Sequence, residues 1–152
     1  MARSPAILRT ILGSCVGVTL WSARFGAGAL CHGVLPRCPL NWPPGTDLQE
    51  GHRYVDFSIR YLVRQFDALG ASRQELEVKL FGGADVLSGA AGDSSRPTVG
   101  ALNRLAAGET LAQEGLIVSA SDVGGVRGRR IHFHTGTGVV LLQRLAAEGR
   151  KP

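Results

Sequence analysis

Val16, Val18 and Leu20 alternate with Gly17, Thr19 and Trp21, and a second run of small and apolar residues extends from Gly26 to Leu35. A period of two is the mark of a strand with one buried face. Runs this close in sequence pair antiparallel, because a parallel pair needs a crossover of a dozen or more residues. The chain is therefore committed to a hairpin here. Setting Cys15 opposite His32 gives a constant index sum of 47, puts Trp21 opposite Gly26 and leaves Ser22-Ala23-Arg24-Phe25 as a four-residue loop. Residues directly opposite share a face, with Cβ atoms about 4.5–5.5 Å apart. A cysteine and a histidine then meet, and a one-residue slip would separate them.

The rest of the chain surrounds this hairpin with alternating elements. Ile7 to Leu12 reads as a short strand before the Gly13-Ser14 turn. Arg37 to His52, with Pro39, Pro43, Pro44 and Gly45, reads as a surface loop. From Tyr54 the period lengthens: Val55, Ile59, Leu62, Val63, Phe66 and Leu69 fall on one helical face, and Gly70 is a natural C-cap. Leu76, Val78 and Leu80 alternate as a strand that Gly82-Gly83 ends. Asp85 to Thr98 reads as a loop, Ala101 to Gln113 as a second helix stopped by Gly115, and Leu116 to Ser119 as a strand. Ile131 and Phe133 alternate with His132 and His134, and Thr135-Gly136-Thr137-Gly138 turns into Val139 to Leu142. Six or seven strands, two main helices and hairpins at both ends give an α+β, mainly antiparallel pattern. No repeat or linker divides the chain, and its 152 residues are expected to form one domain.

Composition narrows the function. The net charge of +5 is spread out, with one small cluster at Arg127, Arg129 and Arg130, and no basic–aromatic interleaving offers bases a stacking platform. The charge reads as solubility and attraction to an acidic protein partner, not as a nucleic-acid site. Three cysteines, an odd number, argue against a disulfide framework and for a reducing compartment. No apolar run would cross a membrane. Leu12-Gly13-Ser14-Cys15 loosely resembles a lipoprotein cleavage box, but Arg9 interrupts the apolar stretch before it and apolar residues continue to Trp21.

Cys15 and His32 carry the chemistry. A free thiol is mostly protonated at neutral pH, and a neighbouring imidazole can take its proton while a third group orients the ring. Thr10 and Ser14 supply nearby hydroxyls, and backbone N–H groups around Ser14 and Cys15 are placed to stabilise an oxyanion. Taken alone, the pair has a plainer reading as a buried cysteine and a satisfied strand histidine. A zinc site from Cys15, Cys31, His32 and Cys38 lacks the paired cysteine knuckle, and adjacent Cys31 and His32 would point to opposite faces. Gly82, Gly83, Gly124 and Gly125 read as tight turns, since no Walker lysine follows them. Asn103, Asp122 and Arg129 read as structural hydrogen bonders near the pocket.

The chain resembles CheD, the chemoreceptor glutamine deamidase family of bacterial chemotaxis. The resemblance runs through Leu12-Gly13-Ser14-Cys15-Val16, His32-Gly33-Val34-Leu35-Pro36, Tyr54, Leu76-Glu77-Val78-Lys79-Leu80-Phe81-Gly82-Gly83-Ala84, Gly100, Asn103, Asp122-Val123-Gly124-Gly125, Gly128-Arg129-Arg130-Ile131 and Gly138-Val139-Val140. It implies a three-layer α-β-β sandwich and a cytoplasmic hydrolase that uses no cofactor. Glutamine side chains of the receptor cytoplasmic domain would be converted to glutamate. It also implies a cysteine, histidine and threonine site, with Cys15, His32 and Thr10 in those roles, and in some members a CheC-like phosphatase partner. In some relatives the threonine precedes the cysteine by six residues, where this chain has Arg9, and strict alternation turns Thr10 to the side of Ser14. The alternative is a non-catalytic adaptor that docks on receptors or on the phosphatase.

Overall fold

The alternating run forms β2, Val16–Ser22, paired antiparallel with β3, Ala27–Gly33, in a computed structural model of the chain. The structure describes residues 1–39, 48–85 and 96–146; the middles of two expected loops, 40–47 and 86–95, lie outside the described residues. The hairpin is present, but its register differs from the expected one. Gly17, not Cys15, faces His32, so the index sum is 49. The cause lies at the turn. Ser22 stays in the strand opposite Ala27, and the four-residue loop becomes Ala23–Gly26, closed by the Gly26 N–H donating to the Ala23 carbonyl at 3.3 Å. Gly26 sits at φ 55°, a region that glycine enters without a Cβ penalty, so it belongs to the turn. A shift by two residues preserves the face. Cys15, just outside β2, is therefore no longer directly opposite His32.

On its other edge β2 pairs antiparallel with β4, Glu77–Gly82, which pairs parallel with β5, Val118–Val123. The four-stranded order is β3-β2-β4-β5. A second, antiparallel sheet has the order β1-β6-β7, from Ile7–Leu12, Arg129–His134 and Val140–Arg144. The helices are the short α1, Leu48–Gly51, and two long ones, α2, Val55–Asp67, and α3, Val99–Gln113. Val16, Val18 and Leu20 of β2 bury one face of the larger sheet against Ile59, Val63 and Phe66 of α2 and Ala106, Ala107 and Leu111 of α3. The opposite face meets the smaller sheet, where Leu12, Phe81 and Ile131 pack together. The result is helices on a sheet on a sheet, the expected α-β-β arrangement.

Both long helices end in the same way. The Ala71 N–H donates to the Phe66 carbonyl at 3.1 Å and Gly70 to Asp67 at 2.9 Å; Leu116 donates to Leu111 at 2.9 Å and Gly115 to Ala112 at 3.0 Å. These are Schellman closures, with Gly70 and Gly115 in the left-handed region. The two sheets are tied by polar bonds as well as by packing. Trp21 Nε1 donates to the Thr135 carbonyl at 2.9 Å, Lys79 Nζ donates to Gly138 at 2.8 Å, and Arg129 of β6 pairs with Asp122 of β5. Among the described residues no helix is long and apolar enough to cross a membrane.

Candidate active site

β1 and β3 are edge strands of the two sheets, and the site lies where they come together. The sheets approach closely there because position 17, opposite His32, has no side chain: a Cβ on Gly17 would stand 2.9 Å from Leu12 Cδ1. Thr10 alternates with Leu8 and Leu12 on the β1 face that looks toward the larger sheet. Its Oγ1 lies 2.8 Å from His32 Nδ1. The packing of the two sheets, not the spacing to Cys15, directs Thr10, because Gly13-Ser14-Cys15 leaves the strand and breaks the alternation. Cys31, one residue before His32, points the other way into the helix-side core.

Cys15 is half-buried and packs on the Leu12, Phe81 and Ile131 cluster. The turn that carries it is fixed by its carbonyls. The Gly13 carbonyl accepts from the Ala84 N–H at 2.8 Å, the Ser14 carbonyl from Asn103 Nδ2 at 2.9 Å, and the Cys15 carbonyl from the Gly83 N–H at 2.7 Å. The close approach needs glycine at position 82: φ is 95°, and a Cβ there would stand 2.3 Å from the Cys15 carbonyl oxygen. In a trans peptide the N–H points opposite to its C=O. Pinning the Gly13 and Ser14 carbonyls therefore turns the N–H groups of Ser14 and Cys15 away from these anchors. Among the described residues neither N–H has a hydrogen-bond partner in another residue. Apart from the Cys15 thiol, which the Cys15 N–H also meets, these two N–H groups are left available, as an oxyanion site requires.

The charge states follow from burial. Burial pushes the Cys15 thiol up, while its own backbone N–H pulls the other way. Partial burial holds His32 below the ordinary imidazole value. Both shifts favour a neutral thiol beside a neutral imidazole. Among the described residues no hydrogen bond joins Cys15 Sγ to the His32 ring.

Other residues singled out in the sequence find structural places. Gly82, Gly83, Gly124 and Gly125 all have positive φ; the Gly124 N–H donates to the Gly82 carbonyl at 2.9 Å and the Asp85 N–H to Gly125 at 2.7 Å, forming the tight turns expected beside the site. Asp122 receives Arg129 at 2.8 Å and Arg144 at 2.7 Å. Burial raises its pKa, but these arginines outweigh that and hold the carboxyl below its usual range. His132 and His134 lie across from Arg9 and Ile7 on the outer sheet face. Asn103 is the structural hydrogen bonder expected near the pocket, with Nδ2 donating to the Ser14 and Val34 carbonyls. Its spacing shows a polar group on a helix, but not that the amide reaches two loops.

The sequence model of the family described as CheD chemotactic sensory transduction matches residues 35–144. The chain is 44% identical to "Probable chemoreceptor glutamine deamidase CheD 2" of Geobacter sulfurreducens over 144 residues, covering 95% of this chain and 83% of the relative. It is 40% identical to "Probable chemoreceptor glutamine deamidase CheD" of Maridesulfovibrio salexigens, over 93% of this chain and 84% of the relative. An archaeal relative, "Probable chemoreceptor glutamine deamidase CheD 1" of Methanosarcina acetivorans, is 36% identical over 94% of this chain and 85% of its own length.

Proposed function

The chain belongs to the CheD family, and from that premise we propose that it deamidates glutamine side chains on the cytoplasmic domain of chemoreceptors, with Cys15 as nucleophile, His32 as acid and base, and Thr10 orienting the imidazole. The observation that carries the reading is the 2.8 Å contact between Thr10 Oγ1 and His32 Nδ1, made across two different sheets. The Thr10 hydroxyl accepts from Nδ1–H, a tautomer that leaves the Nε2 lone pair for a thiol proton.

Cys15 passes its proton to His32 as sulfur bonds to the carboxamide carbon, and the carbonyl oxygen takes the negative charge between the Ser14 and Cys15 N–H groups. The C–N bond then breaks, His32 returns the proton to the departing nitrogen, and ammonia leaves a thioester. Water, deprotonated by His32, attacks the thioester, the C–S bond breaks, and the products are glutamate and the thiol. The neutral resting pair places the proton transfer within the substrate-bound state, when the amide displaces water from the sulfur. In this reading the protein works in the cytoplasm, where receptor glutamines are accessible, and a CheC-like phosphatase is a second partner.

A non-catalytic adaptor has no use for a hydroxyl aligned on an imidazole or for available N–H groups beside a thiol. Ammonia release from a receptor cytoplasmic fragment separates the two. We expect release with wild type, and a loss of at least about 10²-fold with Cys15→Ala and with His32→Ala. Equal release from wild type and Cys15→Ala would rule out the cysteine mechanism.

A further inference from the structure

The carboxamide of Asn103 is fully buried on α3, yet its bonds leave the helix. Nδ2 has two hydrogens, and both are used: one on the Ser14 carbonyl at 2.9 Å, the other on the Val34 carbonyl at 3.0 Å. Ser14 belongs to the turn that carries Cys15. Val34 lies two residues beyond His32. One side chain therefore joins the nucleophile turn to the end of the histidine strand. Among the described residues no hydrogen bond joins the Cys15 and His32 side chains directly, and the neighbouring residues Val16 and Gly33 pair in the β2–β3 ladder.

The helix is built to bring position 103 there. Thr98 caps α3 by accepting from the Ala101 N–H at 3.0 Å. Gly100 lets the first turn of α3 lie on the turn after β4; a Cβ there would stand 2.6 Å from the Ala84 carbonyl oxygen and 2.7 Å from that of Gly83. Arg104, the next residue, donates to the Gly83 carbonyl. Gly83 and Ala84 are the same residues whose N–H groups hold the Cys15 and Gly13 carbonyls. The acceptor side of the amide is not similarly served. Asn103 Oδ1 is buried with no hydrogen-bond partner among the described residues. A buried orphan acceptor costs stability, so an apolar residue of similar volume would suit the core better. The two donors are what the residue offers in return.

We propose that Asn103 is a positioning residue for the deamidation: its amide aims the Cys15 N–H at the developing oxyanion and, together with the β2–β3 ladder, holds the Cys15 turn against the end of β3. This rests on the cysteine reading above. Holding the Ser14 carbonyl against α3 turns the Cys15 N–H, on the same planar peptide, to the opposite side. Losing that hold frees the peptide to rotate, and the oxyanion donor is no longer preorganised. Asn103 is fully buried and out of reach of a protein substrate. The effect falls on kcat, not on KM.

The test uses the full chain with Asn103→Asp, Asn103→Leu and Asn103→Ser, normalised to folded molecules by melting curves and Trp fluorescence. Asp is isosteric but offers no N–H, and Ser keeps a single donor. Leu111→Ala, a cavity on the same helix remote from the turn, matches the loss of stability without touching the site. We expect kcat per folded molecule on a receptor fragment to fall about 10²–10³-fold for Asp and Leu. KM should stay within about threefold, and Leu111→Ala should keep wild-type kcat. Ser should fall in between, and it decides the matter if the larger changes prevent folding. The pH profile of Cys15 alkylation supplies a second readout, which should move to higher pH in the Asn103 variants as the Cys15 N–H loses its aim. Wild-type kcat per folded molecule and an unmoved alkylation profile would overturn the proposal, provided Cys15→Ala is inactive in the same assay. Activity surviving in Cys15→Ala would overturn the cysteine reading and this inference with it.

Discussion

Each residue of the site has its own test. Thr10→Val removes the oxygen from His32 Nδ1 and keeps the shape of the side chain, so the imidazole loses its fixed tautomer. We expect kcat to fall about 10–10²-fold with KM little changed, and Thr10→Ser to restore most of it. Steady-state ammonia release checks both. The thiol makes a pH prediction. Because burial raises Cys15, its alkylation by iodoacetamide in the free protein should accelerate only above the ordinary thiol range. Cys31, buried in the helix-side core and pushed up to about 12, should stay unlabelled until the chain unfolds. Peptide mapping after labelling at stepped pH reads out both sites. Cys15 and His32 were legible in the sequence because a thiol and an imidazole on one strand face are chemically rare. The geometry of Thr10 was not legible. Its contact crosses between sheets, and no period within a single strand encodes how two sheets pack.

Elements show the same division. Strands with strict alternation and the helix with apolar steps of three and four were readable, and α2 begins at Val55 as its pattern implies. α3 was readable as a helix but not as to which face is buried. Gly100, Asn103, Ala106, Ala107, Thr110 and Leu111 face inward, while Leu102 and Leu105 are exposed. Hydropathy therefore points away from the buried stripe, and small size marks it instead. The sequence pattern places Gly26 in the strand, whereas the structure puts it in the turn and shifts the hairpin register by two; a positive φ is a property of the turn that composition only hints at. Glycine turns at the site allow a graded test. Gly70→Ala meets open space and carries only the left-handed backbone penalty, about 1 kcal/mol. Gly82→Ala adds to that penalty a Cβ 2.3 Å from the Cys15 carbonyl oxygen, so it should cost about 2–4 kcal/mol and displace the nucleophile turn. Thermal melts should rank the two in that order, with activity lost only in Gly82→Ala.

At the scale of the whole molecule, the α-β-β arrangement puts Thr10 and His32 at the seam between two sheets, with the larger apolar cluster on the helix side. Cys31 belongs to that core, and its buried thiol ties stability to pH. Its pKa rises from 9.0 unfolded to about 12 folded, so its contribution is present in full below the unfolded value and is lost as pH climbs between the two. Urea unfolding at stepped alkaline pH should show this decline, and Cys31→Val should flatten it. At the acid end, Asp67 is held low chiefly by its bond from Arg73, and Asp122 is held low by Arg144 and Arg129 against its burial. Stability present above the ordinary carboxylate range is lost as pH falls through these depressed values. Strand number could be read from the chain because each element carries its own pattern, whereas the layer order was implied only by the family resemblance. The meeting of β1 with β3, on which the Thr10–His32 contact depends, exists only after the sheets have stacked. In the proposed mechanism Cys15 turns receptor glutamine into glutamate. Mass spectrometry of a receptor cytoplasmic fragment, incubated with wild type or with Cys15→Ala, tests it most directly. The account predicts the mass gain of amide-to-acid conversion at glutamine residues with wild type and none with Cys15→Ala. The same gain with both proteins, or with neither, would contradict it.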